Sequence, residues 1–337
     1  MGARQPRWKM DKGAPVAFYH CVSRIVDRNF MLGDLEKEHS VKLMRPYETS
    51  CGVKVVTFCI MKNHFHILLE FPQRPAQDHL PFDQELVQLL KVADVSYGAS
   101  SLAQHLQTLR ASARHEEAET LRERFFSNMW DVSFFMRVLK QRFSQWFNGA
   151  RNRKGTLWEE RFRSVLVEEG DALRTVASYI DLNPIRAGMV SDPADYRWSG
   201  FGEAVAGGER SKNSIVALMQ KSTAPGKTQQ QYLASYRLQL YVIGEEVPFD
   251  QNGQGGRRGF TRDQVSEANK TLGEVSLKYA LNRRVRHFSE GLILGSMAFV
   301  QKFVQQYRER SGSLRRTGAS EIRSLGGQTL FTLRAFG

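Results

Sequence analysis

Two neighbouring apolar runs, joined by a short polar turn, are the feature that most restricts how this chain can fold. The first run, Val53–Met61, is rich in β-branched and aromatic residues, and the second, His64–Phe71, begins after Lys62–Asn63. Runs of this composition on either side of a short turn are typical of a β-hairpin. Because both runs are mostly apolar, we expect the hairpin to be buried and a core to form around it.

Further elements follow on both sides of this hairpin. The segment from Ser133 onward is amphipathic with a helical period. A later helix, which begins at Ala172, should end near Asn183, because Pro184 lacks a backbone donor and disfavours a helical residue before it. The sequence thus predicts strands and helices in mixture: strands at Val16–Arg24 and Arg161–Glu169, and helices at Asp34–Ser50, Ser133–Asn148 and Ala172–Asn183.

The composition changes outside these elements. From Pro72 to about Asp131 the chain is first proline-rich and polar, then charged and rich in Ala, Gln and Leu, which predicts a helical insertion within a first domain, residues 1–206. Residues 207–260, opening with "GGERSKNS", are predicted to be a linker and helical connection. Residues 261–337 are predicted to form a basic, helical C-terminal region, in which Phe288–Tyr307 is the most apolar part.

The charge balance narrows the class of partner. Lys and Arg number 48 against 35 Asp and Glu, a net charge of +13, which favours nucleic acid or an anionic membrane surface. No apolar run approaches the roughly 18 residues of a spanning helix. No apolar segment follows the basic N-terminus, so no signal peptide is expected. The cysteines lack metal-ligand spacing and indicate a reduced, cytoplasmic protein: Cys21, Cys51 and Cys59.

The second run of the hairpin carries two histidines, His64 and His66. Residues two apart in a strand share a face, so the two imidazoles should lie side by side, with Phe65 pointing to the opposite face. Imidazole is a common ligand of divalent metals. A lone His-x-His pair also occurs as ordinary core or surface histidines, and the other six histidines follow no zinc-hydrolase pattern. The pair alone leaves both interpretations open.

A second candidate site lies on the helix that ends near Pro184. Tyr179 and Asn183 are four residues apart and therefore share a helical face. The phenol of Tyr179 is a potential nucleophile, and the amide oxygen of Asn183 is a potential ligand for a hard cation. The alternative is that Tyr179 packs in the core and Asn183 merely ends the helix, since cores use tyrosine freely.

The two motifs are chemically compatible. A phenol is a weak nucleophile at neutral pH. A divalent ion held by His64, His66 and one oxygen ligand would polarise a phosphodiester for attack by Tyr179. The resulting phosphotyrosine would retain the phosphodiester energy, so that rejoining needs no ATP. Consistent with this, the sequence contains no GxxxxGK[ST] phosphate-binding loop.

Four motifs occur in a fixed order: "MKNHFHILLE", "LWEERFRSVLVEE", "YIDLNPIRAGMV" and "DYRWSG". Together they resemble the REP-associated tyrosine transposases, which are single-tyrosine HUH enzymes related to the transposases of small bacterial insertion sequences. "FYHCVSR" and "MRVLKQRFSQWFN" fit the layout of the same family. The resemblance covers about residues 15–71 and 133–201.

The resemblance implies an α+β fold, a ferredoxin-like antiparallel sheet with helices on one side, and makes residues 1–206 the HUH catalytic domain. The histidine pair would lie on a central strand, facing the helix that carries the tyrosine. By motif position, His64, His66 and Asn183 would hold Mg²⁺ or Mn²⁺. Tyr179 would be the nucleophile that forms a 5′-phosphotyrosine link.

The substrate implied by the resemblance is single-stranded DNA carrying palindromic hairpins, in the bacterial cytoplasm at the nucleoid. A monomer and a homodimer are both compatible with the sequence. Basic side chains should follow the phosphates and aromatic ones should stack on bases, and the candidates are Arg151, Arg153, Lys154, Trp158, Arg161, Arg163 and Arg186. For Trp158, core packing is an equal alternative. The segments 282–288 and 313–323 are candidate secondary contacts.

The sequence departs from the family at Lys62, where the family usually has proline, and in its insertion and long C-terminal region. Three other functions stay open at this point. They are a DNA-binding protein that keeps the fold without cleavage, an HUH replication initiator or relaxase, and a metal hydrolase acting on small phosphates.

Overall fold

The computed structural model describes residues 8–10, 14–76, 80–92, 96–221, 225–246, 256–272, 286–311, 319–322 and 329–334. The elements of its first half are β1 (Val16–Arg24), α1 (Asp34–Ser50), β2 (Lys54–Ile60), β3 (His64–Pro72), α2 (Asp83–Val92), α3 (Ser96–Ala111), α4 (His115–Phe126), α5 (Val132–Ala150) and β4 (Arg163–Val167).

The second half begins with the helix that carries the candidate tyrosine. Its elements are α6 (Asp171–Asp181), α7 (Asn183–Arg186), α8 (Gly200–Val205), α9 (Glu209–Gln220), α10 (Gln229–Ile243), α11 (Arg262–Leu272), α12 (Arg286–Glu290), β5 (Gly291–Gly295), α13 (Met297–Ser311), β6 (Ser320–Ile322) and β7 (Leu330–Arg334).

The predicted hairpin forms one side of the sheet. β2 pairs with β3, β3 with β1, and β1 with β4, and every pair is antiparallel. With α1 after β1 and α5 before β4, the order β2-β3-β1-β4 is that of a ferredoxin-like β-α-β-β-α-β unit. The predicted α+β class and antiparallel core are therefore confirmed.

Helices cover both faces of this sheet. On one face, α1 and α5 pack against a cluster that includes Phe65 and Ile67 of β3. The opposite face, which includes Leu68, is covered by α6, α9 and α10. The expectation of helices on one side thus describes only the first layer. The helix that bears Tyr179, α6, is part of the second layer of helices. It packs against the face of β3 that carries the His66 side chain.

The C-terminal region differs from its prediction. β5 pairs parallel with β4, with Ile293 opposite Leu166, and β7 and β6 extend the sheet to seven strands. The prediction that the C-terminal region is helical is therefore wrong at Gly291–Gly295, Ser320–Ile322 and Leu330–Arg334, and right over Met297–Ser311. The reason is that a short apolar run carries no periodicity that separates a buried strand from a buried helix.

The linker predicted at "GGERSKNS" is also mostly helical. Gly207, at φ +96°, follows α8, and α9 begins two residues later at Glu209. Most polar residues of this stretch lie on the outer side of α9, whereas Ser211, Ile215 and Met219 are buried. The boundaries of the three predicted domains stay predictions.

Three helices, α2 to α4, lie within the predicted insertion. They enclose a small apolar cluster of their own, which is joined to the end of α1 by a hydrogen bond from the backbone N–H of Trp130 to the carbonyl of Cys51 (2.9 Å). The core of this cluster consists of Leu80, Leu86, Leu102, Leu106, Leu109, Ala118, Phe126 and Met129. No helix in the described ranges combines the length and the apolar character that crossing a membrane requires.

Helix α6 is fixed by a buried carboxylate. Asp181 accepts hydrogen bonds from the hydroxyl of Thr57 (2.9 Å), the hydroxyl of Tyr236 (2.7 Å) and the backbone N–H of Phe201 (3.1 Å). Burial raises the pKa of Asp181 to about 7. Gly200 permits the close packing of α8 here, since a Cβ at this position would lie 2.1 Å from Oγ1 of Thr57. The network joins β2, α8 and α10 to the helix that carries Tyr179.

Replacing Asp181 with alanine should lower the free energy of unfolding by about 3 kcal/mol, because three buried donors lose their acceptor. The loss is measured by urea unfolding. Asp195→Ala, at an exposed carboxylate, is the matched control and should change stability by less than about 0.5 kcal/mol. Equal stabilities for the two variants would contradict the role assigned to Asp181.

Candidate active site

The histidine pair lies on β3 as the alternation of strand residues predicted. The His66 side chain is buried and that of His64 is half-buried. Their ring centroids are 5.0 Å apart, at an interplanar angle of 80°. Phe65 points to the opposite face and packs edge-on against Trp158 at 5.4 Å. The two imidazoles therefore share one face of the sheet.

A chain of hydrogen bonds determines the tautomer of His66. Nδ1 of His20 lies 2.5 Å from the carbonyl oxygen of Phe288, and Nε2 of His20 lies 2.9 Å from Nδ1 of His66. The carbonyl can only accept, so a neutral His20 carries its proton on Nδ1 and accepts at Nε2. His66 must then donate from Nδ1. Its Nε2 lone pair stays available to a ligand.

His64 is held in the same tautomer by its neighbour in the turn. Its Nδ1 lies 2.7 Å from Oδ1 of Asn63, whose Nδ2 donates to the carbonyl of Arg28 at 2.8 Å. Since Asn63 presents its oxygen, His64 donates from Nδ1 and retains the Nε2 lone pair. Both histidines thus have the protonation pattern of metal ligands, with the second nitrogen fixed by an outer partner.

Burial keeps these imidazoles neutral. It lowers the pKa of His20 and that of His64 to about 4, and it lowers the pKa of His66 well below its usual value. The positive charge of Arg24 acts in the same direction on His64 and His66. Neutral imidazole is the form that binds metal.

Tyr179 faces the pair from α6. Its ring centroid lies 5.7 Å from that of His66 and 6.0 Å from that of His20, both edge-on. The two motifs, far apart in sequence, therefore meet within one chain. Burial raises the pKa of the Tyr179 phenol, against the opposing effect of Arg186 and of a hydrogen bond with Ser289.

The C-terminal region covers Tyr179. The ring of Phe288 lies 5.2 Å from the tyrosine ring, and only 8% of Tyr179 is exposed. Phe288 also supplies the carbonyl that orients His20. One residue of α12 therefore contacts both the nucleophile candidate and the hydrogen-bond chain behind the histidines.

Asn183 lies one helical turn beyond Tyr179, at the start of α7. Its Nδ2 donates to the carbonyls of Tyr179 (3.0 Å) and Ile180 (3.2 Å), so that the amide nitrogen ends α6 and Oδ1 is left as the ligand atom. In the described part of the chain, no hydrogen bond joins Asn183 to either histidine. Within the same ranges, no cluster of three or more His, Cys, Asp or Glu is suited to a metal. A site here would consist of two imidazoles and an amide oxygen.

The basic residues predicted to bind DNA have varied surroundings. Arg151 pairs with Glu36, and Arg163 with Glu160 at 2.7 Å. Arg153 donates to Thr156 (2.7 Å) and so closes its own loop. Lys154 and Arg161 are exposed. Arg161 lines an open cleft of about 550 Å³ together with Arg137, Lys140 and Phe134.

The surroundings of Trp158 favour the core alternative. Its Nε1 donates to Oγ of Ser144 at 2.7 Å, and its ring packs against Phe65 and Phe143 at 5.4 and 5.8 Å. Both the polar and the apolar part of the side chain are thus engaged within the protein. Of the secondary DNA segments, residues 282–285, 313–318 and 323 lie outside the described residues.

Sequence reasoning did not identify His20, Arg24 or Phe288 as part of this site. His20 and Arg24 lie four apart in β1 and thus on one face, and Arg24 is directly opposite His64. The alternation of side chains along β1 could have placed His20 and Arg24 beside the histidine pair, had β1 been assumed to pair with the hairpin. Phe288 carried no such signal, because its carbonyl and its ring act through tertiary packing.

The fold and site define an α+β protein in which a tyrosine faces a histidine pair across a helix–sheet interface. Residues 16–80 match the model of the family described as "Transposase IS200 like". One solved structure, described as "Structure of the REP associates tyrosine transposase bound to a REP hairpin", is similar with 14% identity and a TM-score of 0.39, and covers 61% of this chain and 87% of that chain. No curated protein matches the sequence. The predicted resemblance to IS200-like transposases is confirmed over the segment that carries the histidines.

Proposed function

We propose that this protein is a transposase-like, metal-dependent endonuclease and strand transferase of single-stranded DNA, with Tyr179 as its nucleophile. The observation that carries the proposal is the packing of the Tyr179 ring against His66, at 5.7 Å within one chain. The family-model match over residues 16–80 supports a transposase-like role. The net charge of +13 supports DNA as the partner.

His64, His66 and Asn183 are the proposed ligands of a divalent ion, Mg²⁺ or Mn²⁺. The available Nε2 atoms of both histidines and the remaining Oδ1 of Asn183 fit this role. When bound, the ion would supply Lewis-acid polarisation of a phosphate oxygen. Imidazole donors favour Mn²⁺ over Mg²⁺, following the affinity order for nitrogen ligands and the preference of Mg²⁺ for oxygen.

The proposed reaction is an in-line displacement at phosphorus. The oxygen of Tyr179 bonds to the phosphorus, and the bond from phosphorus to the 3′ oxygen breaks. The phenol loses its proton, and the leaving 3′ oxygen takes one up. The product is a 5′-phosphotyrosine and a free 3′-hydroxyl, and attack by another 3′-hydroxyl reverses the step on a new strand.

The proposed substrate is hairpin-forming, palindromic DNA, as the four ordered motifs imply. Its backbone is expected to contact the basic side chains around the loop that follows α5, together with the half-buried Arg186 beside Tyr179. The proposed location is the bacterial cytoplasm, where chromosomal DNA lies. The set of basic residues proposed for DNA contact is Arg151, Arg153, Lys154, Arg161, Arg163 and Arg186.

A DNA-binding protein without cleavage is the second candidate, because only 8% of Tyr179 is exposed. An adduct assay distinguishes the two. Full-length protein is incubated with palindromic hairpin DNA and Mg²⁺ or Mn²⁺, then separated under denaturing conditions. We expect a covalent complex that carries the DNA segment downstream of the cut, a free 3′-hydroxyl upstream, and loss of both with EDTA. Hairpin binding without any adduct, on a panel of palindromes in either metal, would select the binding protein instead.

A further inference from the structure

Arg186 is half-buried as a residue, but the end of its guanidinium group lies inside the protein. Both of its terminal nitrogens, Nη1 and Nη2, are shielded from solvent and have no hydrogen-bond partner in the described part of the chain. Burial lowers the pKa of Arg186 to about 10, and the nearby charge of Arg257 acts in the same direction. A buried charge without a partner is costly. The fold therefore retains an uncompensated cation at the last residue of α7.

Two other shielded arginines among the described residues, Arg45 and Arg122, are compensated. Arg45 pairs with Glu48 (2.8 Å) and also with Glu203. Arg122 lies 3.1 Å from Asp83. Each of these guanidinium groups faces a carboxylate of the protein itself. Arg186 is different because what it faces is the candidate nucleophile, with its Cζ 5.0 Å from the centroid of the Tyr179 ring.

A second arginine reaches the same place from the sheet. Arg24 ends β1 directly opposite His64. Its charge lowers the pKa of His64, of His66 and of the Tyr179 phenol. In the described part of the chain, neither Arg24 nor Arg186 forms an ion pair with a carboxylate. The site is thus positive on two sides.

We propose that Arg24 and Arg186 form an anion site beside Tyr179 that takes the phosphodiester group under attack and then holds the phosphotyrosine. The identity of the phosphodiester rests on the proposed function, whereas the anion site itself does not. The planar guanidinium of Arg186 presents two unused nitrogen ends that match two non-bridging oxygens of a phosphate. In this arrangement Arg24 and Arg186 stabilise the charge that develops at phosphorus, and neither exchanges a proton.

The anion site is tested first without DNA. Inorganic phosphate is titrated into the full-length protein, with chloride at equal ionic strength as reference, and the melting temperature is followed, since a ligand of the native state raises it. We expect phosphate to stabilise the wild type. Arg186→Gln should raise the phosphate Kd by about tenfold or more, from the loss of charged hydrogen bonds, and Arg24→Gln should raise it less. Arg114→Gln, at an exposed arginine paired with Glu117 in the insertion, is the control and should bind like the wild type.

A structural role predicts a different pattern. If Arg186 only packed against Tyr179, Arg186→Gln would melt earlier than the wild type in chloride. Removal of an unpaired buried charge should instead leave the melting temperature unchanged or higher. Arg186→Lys serves as a second variant. Lysine keeps the positive charge but lacks the two parallel N–H donors of the guanidinium group, so this variant should bind phosphate more weakly than the wild type. Unchanged phosphate affinity in both variants would overturn the anion site.

The DNA reaction separates the two proposals. Arg186→Gln should slow adduct formation on hairpin DNA about 10²-fold, in the range found when one donor to a developing oxyanion is removed. Hairpin affinity should fall by about tenfold or less, since one phosphate contact among several is lost. If the wild type binds phosphate through Arg186 and forms no adduct, the anion site stands and the proposed function fails. If Arg186→Gln and Arg24→Gln both form adduct at the wild-type rate, the anion site fails and the proposed function stands.

Discussion

Replacing Tyr179 with phenylalanine is expected to abolish the covalent adduct with hairpin DNA, a loss of at least about 10³-fold in its rate of formation, because the attacking oxygen is removed. The phenylalanine ring keeps the contacts with His66 and Phe288. The hydrogen bond with Ser289 is lost. Folding and hairpin affinity should therefore stay close to those of the wild type. The measurement is the amount of DNA-linked protein on a denaturing gel over time.

Tyr241 offers a matched control for this substitution. It is a half-buried tyrosine that stacks on Phe260 at 4.1 Å and donates its hydroxyl to Asp192 at 2.9 Å, away from the histidines. Tyr241→Phe also removes one hydroxyl and one hydrogen bond, and it should form adduct at the wild-type rate. An adduct in Tyr179→Phe at the control's rate would exclude Tyr179 as the nucleophile.

Replacing His64 with alanine should reduce DNA cleavage about 10²-fold or more, because a metal ligand is lost. Binding of the hairpin should be largely retained, since the basic surface is unchanged. His64 is the better choice of the pair for this test because His66 is buried and bonded to His20. Cleavage rate, hairpin affinity and binding of Mn²⁺ followed by electron paramagnetic resonance are measured together.

His39→Ala is the control for that variant. His39 is half-buried and stacks on Trp146 at 3.7 Å, on the face of the sheet covered by α1 and α5. Its loss should leave Mn²⁺ binding and cleavage intact. If His64→Ala lost hairpin affinity and cleavage to the same extent, the histidine would have a structural role rather than a metal-binding one.

The sequence predicted those parts of the fold that depend on local pattern. The strand Val16–Arg24 and the helix Asp34–Ser50 have the predicted bounds, and the hairpin begins its second strand at His64. The two-residue period of that strand placed His64 and His66 on one face and Phe65 on the other. Pro184 ended the tyrosine helix as expected, at Asp181, with a short further turn at Asn183–Arg186.

What the sequence did not predict depends on pairing between distant segments. The proton on Nδ1 of His66 is determined by a carbonyl more than two hundred residues away, through His20. The strand at Gly291–Gly295 exists because β4 offers an open edge, a fact absent from its own composition. The absence of a hydrogen-bond partner for the terminal nitrogens of Arg186, within the residues that the structure describes, is likewise a tertiary property. For Trp158, which the sequence left open between base contact and core packing, the hydrogen bond from Nε1 to Ser144 favours the core.

The pairing of β5 with β4 has a consequence for any shortened form of this protein. A fragment ending at residue 206, where composition suggested a domain boundary, would expose the full hydrogen-bonding edge of β4, with Val165, Leu166 and Val167 beside it. Unprotected strand edges of this kind recruit other chains and aggregate. Such a fragment would also deprive His20 of its carbonyl and leave the His66 tautomer undetermined. The strand β5 thus protects the edge of β4 from aggregation, and the short helix α12 before it fixes the His66 tautomer that can bind a metal.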